Sequence, residues 1–265
     1  MKKGVRGQTT IFIIIAIVIL GGVAISLLAF KNPSSSSGDF SANPDVQAQF
    51  NNIRGSIQNC IQYVSEDAVD IVGMQGGYYV PPEKDSFDLV LISIPYYYDM
   101  GRFLMPSDAE ISKQLGLYVN DNIPDCLGEI NFSGFTLDYS NKPVTSAVLN
   151  KRDVVFKIDM PVTIAREGKT YRLNLKDNEV VVDSKLSEMM DIAKYITDSH
   201  RQDPDRICIT CVEKMASERK MRVDIMNFNE DKATSLIVIS SSSNETANNK
   251  PPFIFEFLNR YEKIS

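Results

Sequence analysis

The chain has 265 residues, of which 28 are lysine or arginine and 34 are aspartate or glutamate, so its formal net charge is −6. This acidic balance argues against a protein that binds nucleic acid, because such proteins need a clustered basic face. The length allows one large or two small domains.

The first informative stretch is Ile11–Phe30, which contains no charged side chain. At the helical rise of about 1.5 Å per residue it spans roughly 30 Å, the thickness of the hydrocarbon core of a bilayer. Lys2, Lys3 and Arg6 precede it, and no comparable basic cluster follows it. The positive-inside tendency therefore predicts a single-pass protein of the cell membrane with a cytoplasmic N-terminus and an extracytoplasmic bulk. A cleaved secretory signal is the alternative.

The residues before this stretch carry a family resemblance. Arg6-Gly7-Gln8, followed at once by the hydrophobic run, resembles the prepilin-type (class III) signal of archaeal pilin-like proteins. In that family a membrane peptidase cuts after the glycine, which implies processing between Gly7 and Gln8. The family pattern Gln-x-Ser-x-Glu begins here at Gln8, with Thr10 in place of serine and Phe12 in place of glutamate. The resemblance implies a membrane-anchored surface protein, and Phe12 departs from the residue that helps pilin subunits to align.

Residues 31–44 are rich in serine, asparagine and proline and lack helical periodicity. This composition predicts a flexible stalk between the membrane and a folded body. The predicted organisation is therefore a basic tip and anchor at 1–30, a stalk at 31–44 and an extracytoplasmic domain at 45–265. Within that domain, 45–183 and 184–265 are two candidate subdomains.

A long amphipathic helix is predicted to follow the stalk. Asn43 can cap it, and Pro44 suits its first turn. Apolar residues recur at three- and four-residue spacings as far as Ile71, and Gly76-Gly77 should end the helix. The apolar stripe predicts packing against a sheet, and a short coiled coil with a partner subunit is the alternative.

The next segment is rich in tyrosine. Phe87 to Ile94 is mostly apolar and predicts a buried strand. Because tyrosine presents a large amphipathic ring at little entropic cost, the tyrosine cluster is a candidate interaction surface. The alternative is that these rings cover the edge of the core. The cluster consists of Tyr78, Tyr79, Tyr96, Tyr97 and Tyr98.

The middle of the chain changes from helical to strand periodicity. Ser107 and Glu110 have the spacing of a capping box and predict a helix that ends near Pro124. From Glu129 to Val182 the apolar period is two, which predicts an antiparallel meander with one face in water and a hairpin turn at 166–169. The chain is therefore predicted to be α+β, with amphipathic helices packed on antiparallel sheet.

The last third begins with helical spacing from Ser184 to Ser199. Asp203-Pro204 then resembles the cap and first turn of a second helix, which is predicted to include Ile207, Cys208 and Cys211. Three further strands and a polar loop are predicted. The strands are 221–228, 234–240 and 253–258, and the loop is 240–252.

Four cysteines in a body predicted to be exported indicate disulfides. Three pairings are possible. We favour Cys60–Cys126 with Cys208–Cys211, because both members of the first pair lie on helical segments that can pack on each other. Cys208-Ile-Thr-Cys211 also has the spacing of a redox-active pair at the start of a helix, where thiol pKa values fall. A membrane-tethered thiol–disulfide oxidoreductase that uses this pair is therefore the alternative function.

Other chemistry finds less support in the sequence. His200 is the only histidine, and its polar context favours a solvated loop. Together with Cys208 and Cys211 it offers three zinc ligands, whereas a structural zinc site normally uses four. Because one ligand is missing, we predict no metal. No glycine-rich phosphate loop is present in the sequence, so we predict no cofactor either.

Asn131 and Asn244 each begin an Asn-x-Ser/Thr pattern and are candidate N-glycosylation sites, which agrees with export. Together, these features predict a membrane-anchored cell-envelope protein that acts as a structural or interaction module without catalysis, with a pilin-like signal. The expected partners are the lipid bilayer, through Ile11–Phe30, and envelope proteins or further copies of the chain.

Overall fold

The structure is a computed structural model, and it describes residues 44–261 apart from 91, 140–141, 178, 203–206, 229–232 and 242–251. The described residues form an α+β fold, as predicted. The four α-helices among them are α1 (Pro44–Met74), α2 (Asp108–Gly128), α3 (Leu186–Gln202) and α4 (Ile209–Glu218).

The predicted span Ile11–Phe30, the stalk as far as residue 43 and the processing site at Gly7 and Gln8 lie outside the described residues, and Pro44 belongs to α1. In the part of the chain that the structure does describe, no helix is both long and apolar enough to cross a bilayer.

Twelve strands occur among the described residues, in three sheets. A six-stranded sheet has the order β1-β2-β12-β11-β10, with β3 paired to β2, and two three-stranded sheets have the orders β4-β7-β8 and β5-β6-β9. Strands β2 and β12 pair in parallel, and the other described pairings are antiparallel. The strands are β1 (Ser86–Asp88), β2 (Ser93–Asp99), β3 (Arg102–Phe103), β4 (Thr136–Asp138), β5 (Val144–Leu149), β6 (Asp153–Asp159), β7 (Pro161–Arg166), β8 (Lys169–Asn174), β9 (Glu179–Asp183), β10 (Met221–Asn227), β11 (Thr234–Ser241) and β12 (Ile254–Arg260).

Helix α1 agrees with its sequence pattern at both ends. Ile53 and Ile57 of its apolar stripe are fully buried, and the helix packs against β9, β12 and α2. Gly76 and Gly77 follow the helix with φ of 55° and 87°, a region that residues with a Cβ rarely adopt. A Cβ on Gly76 would also lie 2.5 Å from the backbone oxygen of Glu256, so glycine is needed where the chain turns against β12.

The predicted buried strand over 87–94 is wrong. Phe87 and Leu89 are about 40% exposed, Val90 is 100% exposed, and the Leu89 N–H donates to the Ile92 carbonyl oxygen at 2.8 Å. Phe87, Leu89 and Val90 therefore lie at the exposed end of the β1–β2 hairpin rather than in a buried strand. The buried strand begins later, at Ser93, because its tyrosines contribute more buried area than the aliphatic residues before them.

Helix α2 begins as predicted and ends later than predicted. The Ser107 hydroxyl oxygen accepts a hydrogen bond from the Glu110 N–H at 3.2 Å. The helix continues through Pro124 to Gly128. Proline inside a helix costs about 3 kcal/mol. Complete burial of Ile123 and near-complete burial of Leu127 offset that cost in the last turns.

The alternating segment forms two sheets rather than one meander. Its alternation is confirmed in β6, where Val154, Phe156 and Ile158 are buried, and the hairpin turn is confirmed between β7 and β8. However, β4 pairs with β7, and β5 pairs with β6, which also pairs with β9. A period of two fixes which face each side chain occupies, but it does not fix which strands are neighbours.

The C-terminal helices and strands follow their predictions with shifted ends. Helix α3 spans Leu186–Gln202. Helix α4 begins at Ile209 with Cys208 as its N-cap, so Ile207 and Cys208 precede the helix rather than belong to it. Asp203-Pro204, the predicted cap, lies outside the described residues.

Buried side chains from both candidate subdomains belong to one large cluster, which includes Ile57, Phe156, Ile196 and Phe257. A second, smaller cluster consists of Ile94, Tyr96 and Leu258. Because successive side chains of a strand point to opposite faces, the six-stranded sheet packs its helices on one face and carries this small cluster on the other.

Candidate functional site

Both predicted cysteine pairs lie at disulfide distance. Cys60 in α1 and Cys126 in α2 have Cα atoms 5.9 Å apart and are separated by 66 residues in sequence. Cys60 is 6% exposed, so the bond lies largely inside the interface between the two helices. By the loop-closure relation, a cross-link over so long a loop is worth about 4 kcal/mol. This pair therefore clamps α1 to α2.

The second pair has a different environment. Cys208 and Cys211 have Cα atoms 5.2 Å apart, and the two cysteines are only three positions apart in sequence, so their bond closes a very short loop. Cys208 is exposed at the N-cap of α4, and Cys211 is half-buried in its first turn. The N–H groups of Cys211 and Val212 both donate to the Cys208 carbonyl oxygen at 3.0 Å. By the same loop-closure relation, a cross-link over so short a loop stabilises the fold by about 2 kcal/mol, half the value for the Cys60–Cys126 bond.

Three of the five candidate tyrosines are buried, which corrects the prediction of an exposed tyrosine surface at these positions. Tyr96, Tyr97 and Tyr98 are 9%, 0% and 8% exposed. The Tyr97 hydroxyl donates to the Gly76 carbonyl oxygen at 2.8 Å, and burial raises the pKa of Tyr97 well above its usual value. These rings belong to the core, which is the alternative that the sequence left open.

Tyr78 and Tyr79 are half-buried beside the start of α2. The Tyr79 ring meets the Tyr118 ring edge to face at a centroid distance of 5.0 Å. The Tyr79 N–H donates to Gln114 Oε1 at 3.0 Å. This segment is therefore tied to α2 by its backbone as well as by the Tyr79 ring.

An exposed set of valines on the β5-β6-β9 sheet is a surface that sequence reasoning missed. Val148, Val155 and Val181 face one another in register across the three strands. Val148 and Val181 are 49% and 51% exposed, and Val155 is half-buried. We call these three residues the valine row. Alternation predicted a wet face here, but only the register shows that the valines on it adjoin.

Charged residues border the valine row. Lys157 Nζ lies 2.8 Å from Glu179 Oε1, and both side chains are more than half exposed. On β5, Val144 is also exposed, with 68% of its area in solvent, but Ser146 separates it from Val148 on the same face of the strand. An apolar centre with a charged border is the usual composition of a protein–protein contact surface.

The remaining candidates lie apart from one another. Asn131 is exposed in the segment that follows α2, as a glycosylation acceptor must be, whereas Asn244 lies outside the described residues. The side chain of His200 is also outside them. Across the described ranges, no three side chains of the metal-ligating types come together. Cys208 and Cys211, two of the three suggested zinc ligands, are bonded to each other.

A small cleft lies between α1 and the β5-β6-β9 sheet, with a volume of about 240 Å³. Its floor is apolar, and its rim carries Gln58, Gln62 and Glu179. Gln62 Nε2 donates to Glu66 Oε1 at 2.9 Å, and Glu179 is paired with Lys157, so two of the three rim groups already have partners.

Comparison with protein-family models, with curated proteins and with solved structures finds no match to this chain.

Proposed function

We propose that the protein is a membrane-anchored cell-envelope protein whose folded body lies outside the membrane and acts as a structural or interaction module. The observation that carries the interaction role is the valine row. Apolar area in water costs about 25 cal/mol per Å², and a partner that covers the row recovers this free energy. Envelope proteins and further copies of the chain are the candidate partners.

The anchored topology is supported by the charge-free stretch Ile11–Phe30 with basic residues on one side only. The prepilin-like Arg6-Gly7-Gln8 supports the same arrangement. Both cysteine pairs at disulfide distance support an oxidising compartment for the body, because cytosolic proteins keep their thiols reduced.

Cross-linking in the native membrane tests the interaction role. An amine-reactive cross-linker should join a partner to Lys157, which borders the valine row and is 55% exposed. Lys84 is exposed just before β1 of the six-stranded sheet and serves as the internal control, where we expect no partner. Val148→Thr combined with Val181→Thr keeps the side-chain shape and the strand preference, and it should abolish the cross-linked species.

Val80→Thr is the matched control, because Val80 is 61% exposed and lies outside the sheets. It should leave the cross-linked species unchanged. Cross-links that persist in the valine double variant, or a wild-type chain that forms none at Lys157, would contradict the interaction role of this surface.

A further inference from the structure

The two disulfides differ in the properties that control exchange with an external thiol. Exchange requires a thiolate to reach one sulfur in line with the other, so it depends on exposure. Cys60 is 6% exposed and Cys126 is half-buried between two helices, whereas Cys208 is exposed at the molecular surface. An attacking thiolate can therefore reach Cys208 without opening the core.

The position of Cys211 favours cleavage of the Cys208–Cys211 bond. It lies in the first turn of α4, a helix of 10 residues, with Cys208 at the N-cap. The N–H groups of Cys211 and Val212 already donate to the Cys208 carbonyl oxygen, so it is the helix dipole that stabilises a negative charge in this first turn. A Cys211 thiolate is therefore a good leaving group when Cys208 is attacked.

The short loop supplies the third argument. Cys208 and Cys211 are three positions apart in sequence, against 66 for the other pair, and α4 also packs on α3 and β10. Val212 and Ala216 are each 2% exposed in that packing. Loss of the bond therefore leaves the packing that holds α4 in place, so the pair can change redox state within a folded chain.

We propose that Cys208–Cys211 is a thiol–disulfide exchange site whose substrate is an external dithiol, such as a cysteine pair of another envelope protein. A thiolate of that dithiol attacks Cys208 Sγ, the new mixed disulfide forms, the Cys208–Cys211 bond breaks, and Cys211 leaves as a thiolate. The second thiol of the dithiol then displaces Cys208. The external pair ends as a disulfide, and Cys208 and Cys211 end as thiols that have taken up its two electrons and two protons.

This activity goes beyond the interaction role and does not depend on the valine row. The site requires only that the Cys208–Cys211 bond is formed and exposed. Failure of the cross-linking experiment would therefore leave it untouched, and failure of the exchange experiment would leave the interaction role untouched.

Differential alkylation of the full-length protein in detergent tests the proposal. The protein is incubated with reduced glutathione, quenched, alkylated and mapped by mass spectrometry. We expect Cys208 and Cys211 to become alkylated at least 10-fold faster than Cys60 and Cys126, with the far-UV circular dichroism unchanged. Equal rates for the two pairs, or loss of the helical signal together with reduction, would overturn the proposal.

Single-cysteine variants test the assignment of the attacked sulfur. Cys211→Ser leaves the Cys208 thiol at the surface, and oxidised glutathione should trap it as a mixed disulfide. Cys208→Ser leaves the half-buried Cys211, which should form at least 10-fold less of the adduct in the same time. Cys126→Ser, which leaves the buried Cys60, is the matched control and should form almost none. Equal adduct at Cys208 and Cys211 would contradict attack at Cys208.

Discussion

At the scale of single residues, Asp99 joins three strands through its carboxylate. It is 3% exposed at the end of β2, and it accepts hydrogen bonds from Arg260 of β12 at 2.5 Å and from Arg102 of β3. Arg102 Nη2 also lies 3.0 Å from Asp85 Oδ1. Burial opposes ionisation of Asp99, but the two guanidinium groups outweigh it, and the pKa of Asp99 falls below its usual 3.8.

Asp99→Asn tests this arrangement through the pH dependence of stability. A carboxyl group whose pKa is lower in the folded state contributes stability above its unfolded pKa, near 4, and this contribution disappears as the pH falls through the lower, folded value. We expect the variant to lose about 2 kcal/mol at pH 7, roughly 4–8 °C in the melting temperature, and less at pH 3. Thermal unfolding of the full-length protein in detergent, followed by circular dichroism, measures the loss of stability at pH 7 and at pH 3.

Arg222→Gln is the control for Asp99→Asn. Arg222 pairs with Asp224 at 2.7 Å, but its side chain is 75% exposed, so the pair is worth under about 1 kcal/mol. The control should melt like the wild type at both pH values. An Asp99→Asn variant whose deficit is the same at pH 3 and pH 7 would show that the ionised carboxylate is not what holds the strands together.

The pairing of Asp99 with Arg260 was not predictable from the sequence. The two residues are separated by 161 positions, and they meet because β2 pairs in parallel with β12. Charge patterns in sequence report neighbours along one helix or one strand, and they contain no information about a parallel pairing between distant segments.

At the scale of secondary-structure elements, the contact of α2 with β5 depends on Gly116. A Cβ at this position would lie 2.7 Å from the backbone oxygen of Thr145. Glycine inside a helix is normally unfavourable by about 1 kcal/mol relative to alanine. Its presence here lets the helix approach the strand more closely than any other residue would allow.

Gly116→Ala should therefore destabilise the protein, even though alanine is the better helix former. We expect the melting temperature to fall by at least about 3 °C, because a backbone oxygen cannot move aside as a flexible side chain can. Gly55→Ala in α1 is the matched control, since nothing lies within 4 Å of its added Cβ. There the gain in helix propensity should raise the melting temperature by about 2–4 °C. A rise in both variants would disprove the close contact.

Helices were easier to predict than strands in this chain, for a physical reason. The ends of α1 are set by local residues, Pro44 and the pair Gly76-Gly77, so the sequence contains the information. The exposure of Phe87, Leu89 and Val90 and the continuation of α2 past Pro124 depend on which side chains find buried partners. Local composition cannot supply that information, and both predictions were wrong.

At the scale of the whole molecule, the parts of the candidate sites were predictable to different degrees. The cysteine pairing followed from the helices on which Cys60 and Cys126 lie. The valine row was not predicted, because it requires the register of β5, β6 and β9, which alternation leaves open. The tyrosine-rich composition suggested an interaction surface, but the tyrosines of β2 are buried in the core. Composition does not report which face of a strand is covered.

We propose that this body lies outside a membrane to which the N-terminal stretch Ile11–Phe30 anchors it. Protease treatment of right-side-out membrane vesicles, followed by mass measurement of the protected fragment, tests this claim most directly. We predict that the body from 45 onward is digested and that the surviving fragment contains Ile11–Phe30 and begins at Gln8. A body that survives protease until the vesicles are opened would contradict the account.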